Sequence, residues 1–176
     1  MKAKGFLVEI SEEEIKDFLL YNTGTRSYND DYIEITEYED SKRISLYQKN
    51  KVGVKNDICA VVVYEYGIFV EVPANDVFGY DELQKELYRY FIEIRGPKFA
   101  EKLKSRMRKH LIAEATAASE CLDNLSSSLV KCGDSKCNDV KKMKSTIKEN
   151  VAIAMDKLGR TLDEVLQEVA QQEKSV

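Results

Sequence analysis

Tryptophan is absent from the 176 residues, histidine occurs once and proline twice. No apolar run approaches the ~20 residues that a membrane-crossing helix needs. The longest is "ICAVVVY", residues 58–64. The opening "MKAKGFLVEI" lacks the apolar stretch and small-residue cleavage site of a secretion signal, so the expected compartment is the cytoplasm. A single histidine leaves a Ser-His-Asp or Cys-His arrangement only His110 to work with. That residue lies among basic side chains on a predicted long helix, a poor place for a closed pocket. Neither G-x-x-x-x-G-K-[ST] nor G-x-G-x-x-G occurs, so no phosphate-cradling loop is signalled.

The four cysteines add no chemistry of their own. Cys59 sits inside an apolar run and reads as a core thiol. Cys132 and Cys137 flank "GDSK". A reducing compartment disfavours a disulfide there, and a zinc site would need two further ligands at tight spacing. Glu12, Glu13 and Glu14 are placed to favour a helix N-terminus. The acids between Asp30 and Asp40 read as a solvated strand edge. The expectation is a non-enzymatic protein with no catalytic residue, cofactor, metal or small-molecule substrate.

Aromatic residues and charge are both unevenly distributed. All ten tyrosines and all six phenylalanines lie between Phe6 and Phe99. Residues 1–95 carry 12 Lys and Arg against 19 Asp and Glu, whereas residues 96–176 carry 15 against 12. Gly96-Pro97 stands at the change, a pair that stops helices and turns the chain. These breaks predict an α+β domain over 1–96 and two long helices over 97–176.

Within the first part, "GFLVEI" (5–10) reads as a strand, and "SEEE" (11–14) has the form of a capping box opening a short helix on Ile15, Phe18 and Leu19. A loop is expected over 22–30. Alternation then predicts strands over 31–39 and 43–49. The non-alternating 58–64 predicts a central strand covered on both faces, and 68–72 a last strand closed by Pro73. Asp81 is placed to cap a helix carrying Leu83, Leu87, Phe91 and Ile94. The expected order is β-α-β-β-β-β-α, with short connections favouring a small antiparallel sheet.

The second part has one period only. Phe99, Leu103, Met107, Leu111, Ala115, Ala118, Leu122, Leu125 and Leu129 step by three or four, predicting a helix over about 98–130. A second series, Met143, Ile147, Val151, Met155, Leu158, Leu162, Val165 and Val169, predicts another over about 139–173. From Met155 onward it steps 3, 4, 3, 4, which is a heptad seam. Met155, Leu158, Leu162, Val165 and Val169 are therefore candidates for a helix–helix interface. The two helices suit an antiparallel hairpin.

"KFAEKLKSRMRKHL" (98–111) is strongly basic in a chain of net charge −4. On a helix, Lys98, Lys102, Arg106 and Lys109 gather along one flank of the apolar stripe. Like charges at i,i+4 repel, so these four must be answered by water, by acids of the chain, or by an anionic partner. Nucleic acid or an anionic membrane is one such partner, but aromatic residues for stacking on bases are missing apart from Phe99.

"ENVAIAMDKLGRTLDEV" (149–165) resembles the central part of a vesicle-type SNARE helix, through Glu149-Asn150-Val151, Met155-Asp156-Lys157 and Leu162-Asp163. Lys157 stands where that pattern has arginine. The resemblance implies a longin-type α+β domain before a coiled coil, and a role in membrane traffic. The reading of the residues themselves is a protein-interaction, scaffold or chaperone-like assembly factor, oligomeric or bound to another helical protein through the hairpin.

Overall fold

The computed structural model describes residues 5–22, 31–49, 52–73, 77–131 and 137–173. The expected loop over 22–30, apart from its first residue, and the connection carrying Cys132 lie outside them. The described elements are α1 (Phe6–Glu9), α2 (Glu12–Asn22), β1 (Asp31–Glu37), β2 (Ser41–Lys49), β3 (Lys55–Tyr64), β4 (Ile68–Glu71), α3 (Val77–Arg95), α4 (Pro97–Lys131) and α5 (Cys137–Glu173). The fold is α+β: a four-stranded antiparallel sheet in the order β1-β2-β3-β4, with helices and a long C-terminal helical region.

The first element departs from the expected strand. Residues 6–9 form one helical turn, closed by the Ile10 N–H donating to the Phe6 carbonyl at 3.0 Å. The reason is visible in the burial: Phe6 and Ile10, four apart, are inside, while Val8 is 71% exposed. A strand would have put all three on one face. Gly5 permits this turn by lying against the Glu65 backbone. A Cβ at position 5 would come within 2.5 Å of the Glu65 carbonyl oxygen. Gly5→Ala is therefore expected to lower stability by ~1–3 kcal/mol, read as a fall in the thermal midpoint; an unchanged midpoint would refute the close approach.

α2 begins as its sequence dictates. The Ser11 N–H donates to Glu14 Oε2 at 2.8 Å, and the Glu14 N–H donates to the Ser11 hydroxyl at 3.2 Å, a complete capping box. Burial works against the Glu14 charge, but Arg95 and Ser11 outweigh it and hold its pKa below the ordinary carboxylate range. α3 starts at Val77, so Asp81 lies inside the helix instead of capping it. Its buried stripe is Gln84, Leu87, Tyr88, Phe91 and Ile92, which leaves the expected core residue Ile94 exposed. Gly96 ends α3 at φ +78° and donates to the Ile92 carbonyl at 2.7 Å, after which Pro97 opens α4.

Strand register assigns the two faces of the sheet. Ile35, Ile44, Val61 and Val70 are neighbours on one face, and Thr36, Arg43, Val62 and Phe69 on the other. The first face meets the helices: Lys42 reaches Glu12 of α2 at 2.7 Å. The Gln84 side chain of α3 accepts from the Val70 N–H at 2.9 Å and donates to the Ile68 carbonyl at 3.2 Å. The core continues past Gly96-Pro97. Phe99 stacks on Phe91 at 5.5 Å and meets Phe6 edge-on at 5.3 Å, and Ala100 and Leu103 are fully buried. The residues divide into two compact units, 1–103 with 165–176, and 104–164.

Candidate interaction surfaces

Unit 104–164 consists of the greater part of α4 and α5. Lys104 pairs with Asp163, and Lys144 pairs with Asp123 at 2.6 Å. A step of 19 residues forward along α4, from 104 to 123, is matched by 19 backward along α5, from 163 to 144. The two helices thus run antiparallel in constant register. Their apolar stripes are only partly covered. Leu111, Ala115, Ala118, Leu122, Ile147 and Val151 are all half-buried, and among the described residues of this unit the buried ones are Met107 and Leu162 at one end and Val140 near the other. The cause is geometric: a helix presents a stripe wider than 100°, and one neighbouring helix covers only part of it.

The five residues of the expected helix–helix interface do not share one environment. Leu162 and Val165 are fully buried within the chain, while Met155, Leu158 and Val169 are half-buried. Met155 and Leu158 line a cleft of about 340 Å³ with Lys104, Arg108, Asp156 and Gly159. Val165 and Val169 belong to the other unit, where Glu168 of α5 pairs with Arg89 of α3.

The basic flank divides in the same way. Lys98 and Lys102 belong to the first unit, Arg106 and Lys109 to the second. Lys102 pairs with Glu9 and lies 5.8 Å over the Phe6 ring. Lys104, in the same run, is answered by Asp163. Lys98 and Lys109 are exposed and form no ion pair among the described residues. Acids of the chain itself thus answer part of the charge.

Sequence reasoning missed the second face of the sheet. Its centre is built of small residues, Ser41, Ser45, Ala60 and Val62, all buried beneath larger neighbours. Arg43 crosses it, donating to Glu71 at 2.7 Å and to the Ser45 hydroxyl, with Asp57 at 4.0 Å. Burial opposes the Arg43 charge, but Glu71 and Tyr47 more than offset it. Tyr64 and Tyr66 stack at 5.0 Å, and Phe69 meets Tyr64 edge-on at 5.9 Å. The alternation of Arg43, Ser45 and Tyr47 with Ile44 and Leu46 was the available signal. Beyond Glu71 a cleft of about 320 Å³ is lined by Arg43, Asp57, Cys59, Pro73 and Tyr80 among others. Burial pushes the Cys59 thiol up to about 11, so it is protonated and unreactive at neutral pH.

Among the described residues no three His, Cys, Asp or Glu side chains converge to hold a metal, and no helix is long and apolar enough to cross a membrane. No family model, curated protein or solved structure matches the chain.

Proposed function

We propose that this is a non-enzymatic interaction protein whose helical hairpin assembles with helices of a partner or of another copy. One observation carries the reading: the apolar stripes of α4 and α5 stay half-exposed along most of the hairpin. Leaving so much apolar surface in water is unfavourable at about 25 cal/mol per Å², and a further helix would cover it. The α+β unit offers a separate polar and aromatic sheet face. The readings of Lys98, Lys102, Arg106 and Lys109 as a nucleic-acid or membrane site draw less support, because Glu9 already answers Lys102. The membrane-traffic reading likewise draws less support: among the described residues the helices α1 and α2 precede β1, where the longin-type pattern has strands before its first helix.

Leu158→Asp tests the proposal. It sets a carboxylate in the half-buried stripe, where an unpaired charge is strongly disfavoured. Loss of a covered leucine alone costs ~2–5 kcal/mol, so association is expected to weaken by one to three orders of magnitude. Light scattering after size exclusion, with circular dichroism to confirm retained helix, reads the effect. A monomeric wild type with no co-purifying partner would overturn the reading, as would a variant that keeps the wild-type mass and partners.

A further inference from the structure

The two long sides of the hairpin differ in chemistry. Projected at about 100° per residue, Lys104 and Lys144 face the neighbouring helix. Their partners Asp163 and Asp123 lie about a quarter-turn further round in the direction of the chain. Because the helices are antiparallel, that direction leads to the same side of the hairpin for both. Both crossing ion pairs therefore lie on one side, and Arg108, Lys141 and Lys148 project there too. The opposite side carries Leu111, Ala118 and Leu125 from α4 with Met143 and Ile147 from α5, while Leu158 opens into the cleft it shares with Arg108. Glu114 is the one acid or base that falls within that opposite side. Leu125 and Met143 stand at nearly the same level on their two helices and both are exposed. Each of these residues is half-buried or exposed.

We propose that this apolar side is a homotypic interface, on which the hairpin of a second copy packs to form a four-helix bundle. The inference rests on the interaction reading of the hairpin and names its partner. Three features select a second copy. The side bears one charge, Glu114, so two identical surfaces meet with little like-charge repulsion, whereas the other side would bring its lysines and arginines together. The stripes on α4 and α5 have matched length and register, which gives the self-complementary patch that a two-fold contact requires. The area also suffices: from Leu111 to Leu129 the side is ~27 Å long at 1.5 Å per residue and two helices, ~20 Å, wide. Two copies thus cover ~1,100 Å² together, just above the ~1,000 Å² expected of a specific interface. An interface of that size predicts a concentration-dependent dimer.

Sedimentation velocity on the full chain, from ~1 μM to ~1 mM, tests this. The decisive comparison is Leu125→Glu with Met143→Glu against Ile112→Glu with Val130→Glu. All four residues are exposed, and Ile112 and Val130 project to the charged side. Wild type and the Ile112/Val130 variant are expected to dimerise. The Leu125/Met143 variant is expected to lose ~100-fold or more in affinity, with its helical circular dichroism intact. If the charged pair lowers the helical signal, Leu125→Gln with Met143→Gln takes its place. A wild type monomeric at ~1 mM overturns the homotypic interface; should a helical partner still co-purify through Leu158, the broader reading survives. Equal loss in both variants, or loss in the Ile112/Val130 variant alone, overturns the assignment of the side.

Discussion

Residues 1–96 expressed alone are expected to give a collapsed, poorly dispersed NMR spectrum. The composition break at Gly96-Pro97 invites the opposite expectation, since nearly every aromatic residue precedes it. The core, however, includes Phe99, Ala100 and Leu103 from α4 and Val165 from α5, all buried. Truncating a buried phenylalanine to alanine costs ~3–5 kcal/mol and a leucine ~2–5 kcal/mol. Phe99 and Leu103 together thus account for ~5–10 kcal/mol against a total domain stability of ~5–15 kcal/mol. The Lys102–Glu9 and Arg89–Glu168 ion pairs are lost as well, but exposed pairs contribute only ~0–1 kcal/mol each. Removal also bares Phe6 and the face of Phe91 to water. Well-dispersed amide peaks from the 1–96 fragment would refute this account. Recovery in 1–110 without α5 would show that Val165 is dispensable.

The glycine-proline pair was legible as a helix stop, and Gly96 does end α3 with a positive φ. What it did not reveal is that the next helix continues the same core. Phe99 and Leu103 follow the spacing of Met107 and Leu111, so one unbroken period hides a change from buried to half-buried positions. Periodicity reports which face of a helix is apolar, not how much of that face is covered. The same limit applies to α5, where Leu162 and Leu158 share a stripe but only Leu162 is fully buried. The four strands and their antiparallel pairing were readable because alternation and short turns constrain them strongly. The turn at Phe6–Glu9 was not, because six residues fit both periods and the burial of Phe6 and Ile10 against the rest of the unit decided between them. The apolar side of the hairpin lay in the sequence too. It emerged only once two ion pairs fixed which flank of α4 shares a side with which flank of α5.

Gln84→Leu is expected to destabilise the protein by ~2–5 kcal/mol, although leucine matches the buried site in size. Gln84 carries the one amide in the buried stripe of α3, among Leu87, Tyr88, Phe91 and Ile92. Its amide accepts from the Val70 N–H and donates to the Ile68 carbonyl, so it bonds the outer edge of β4 as a further strand would. β4 is four residues long and pairs with β3 alone, which leaves those edge groups no strand partner. Leucine supplies neither donor nor acceptor. Each stranded buried backbone group costs ~1–3 kcal/mol, and the gain from burying a more apolar side chain offsets only part of two such losses. Urea denaturation should show the lowered midpoint with an unchanged slope, as for a stability change without a change in exposed area. Hydrogen exchange should localise it, with faster exchange at the Val70 amide than at β2 amides. The effect should extend to the second face of the sheet, because Glu71, the partner of Arg43, is the last residue of β4. A midpoint unchanged within error would mean that water satisfies the β4 edge as well as Gln84 does. The bond between α3 and the sheet would then be incidental, and the packing of Leu87 and Phe91 would have to hold β4 in place unaided.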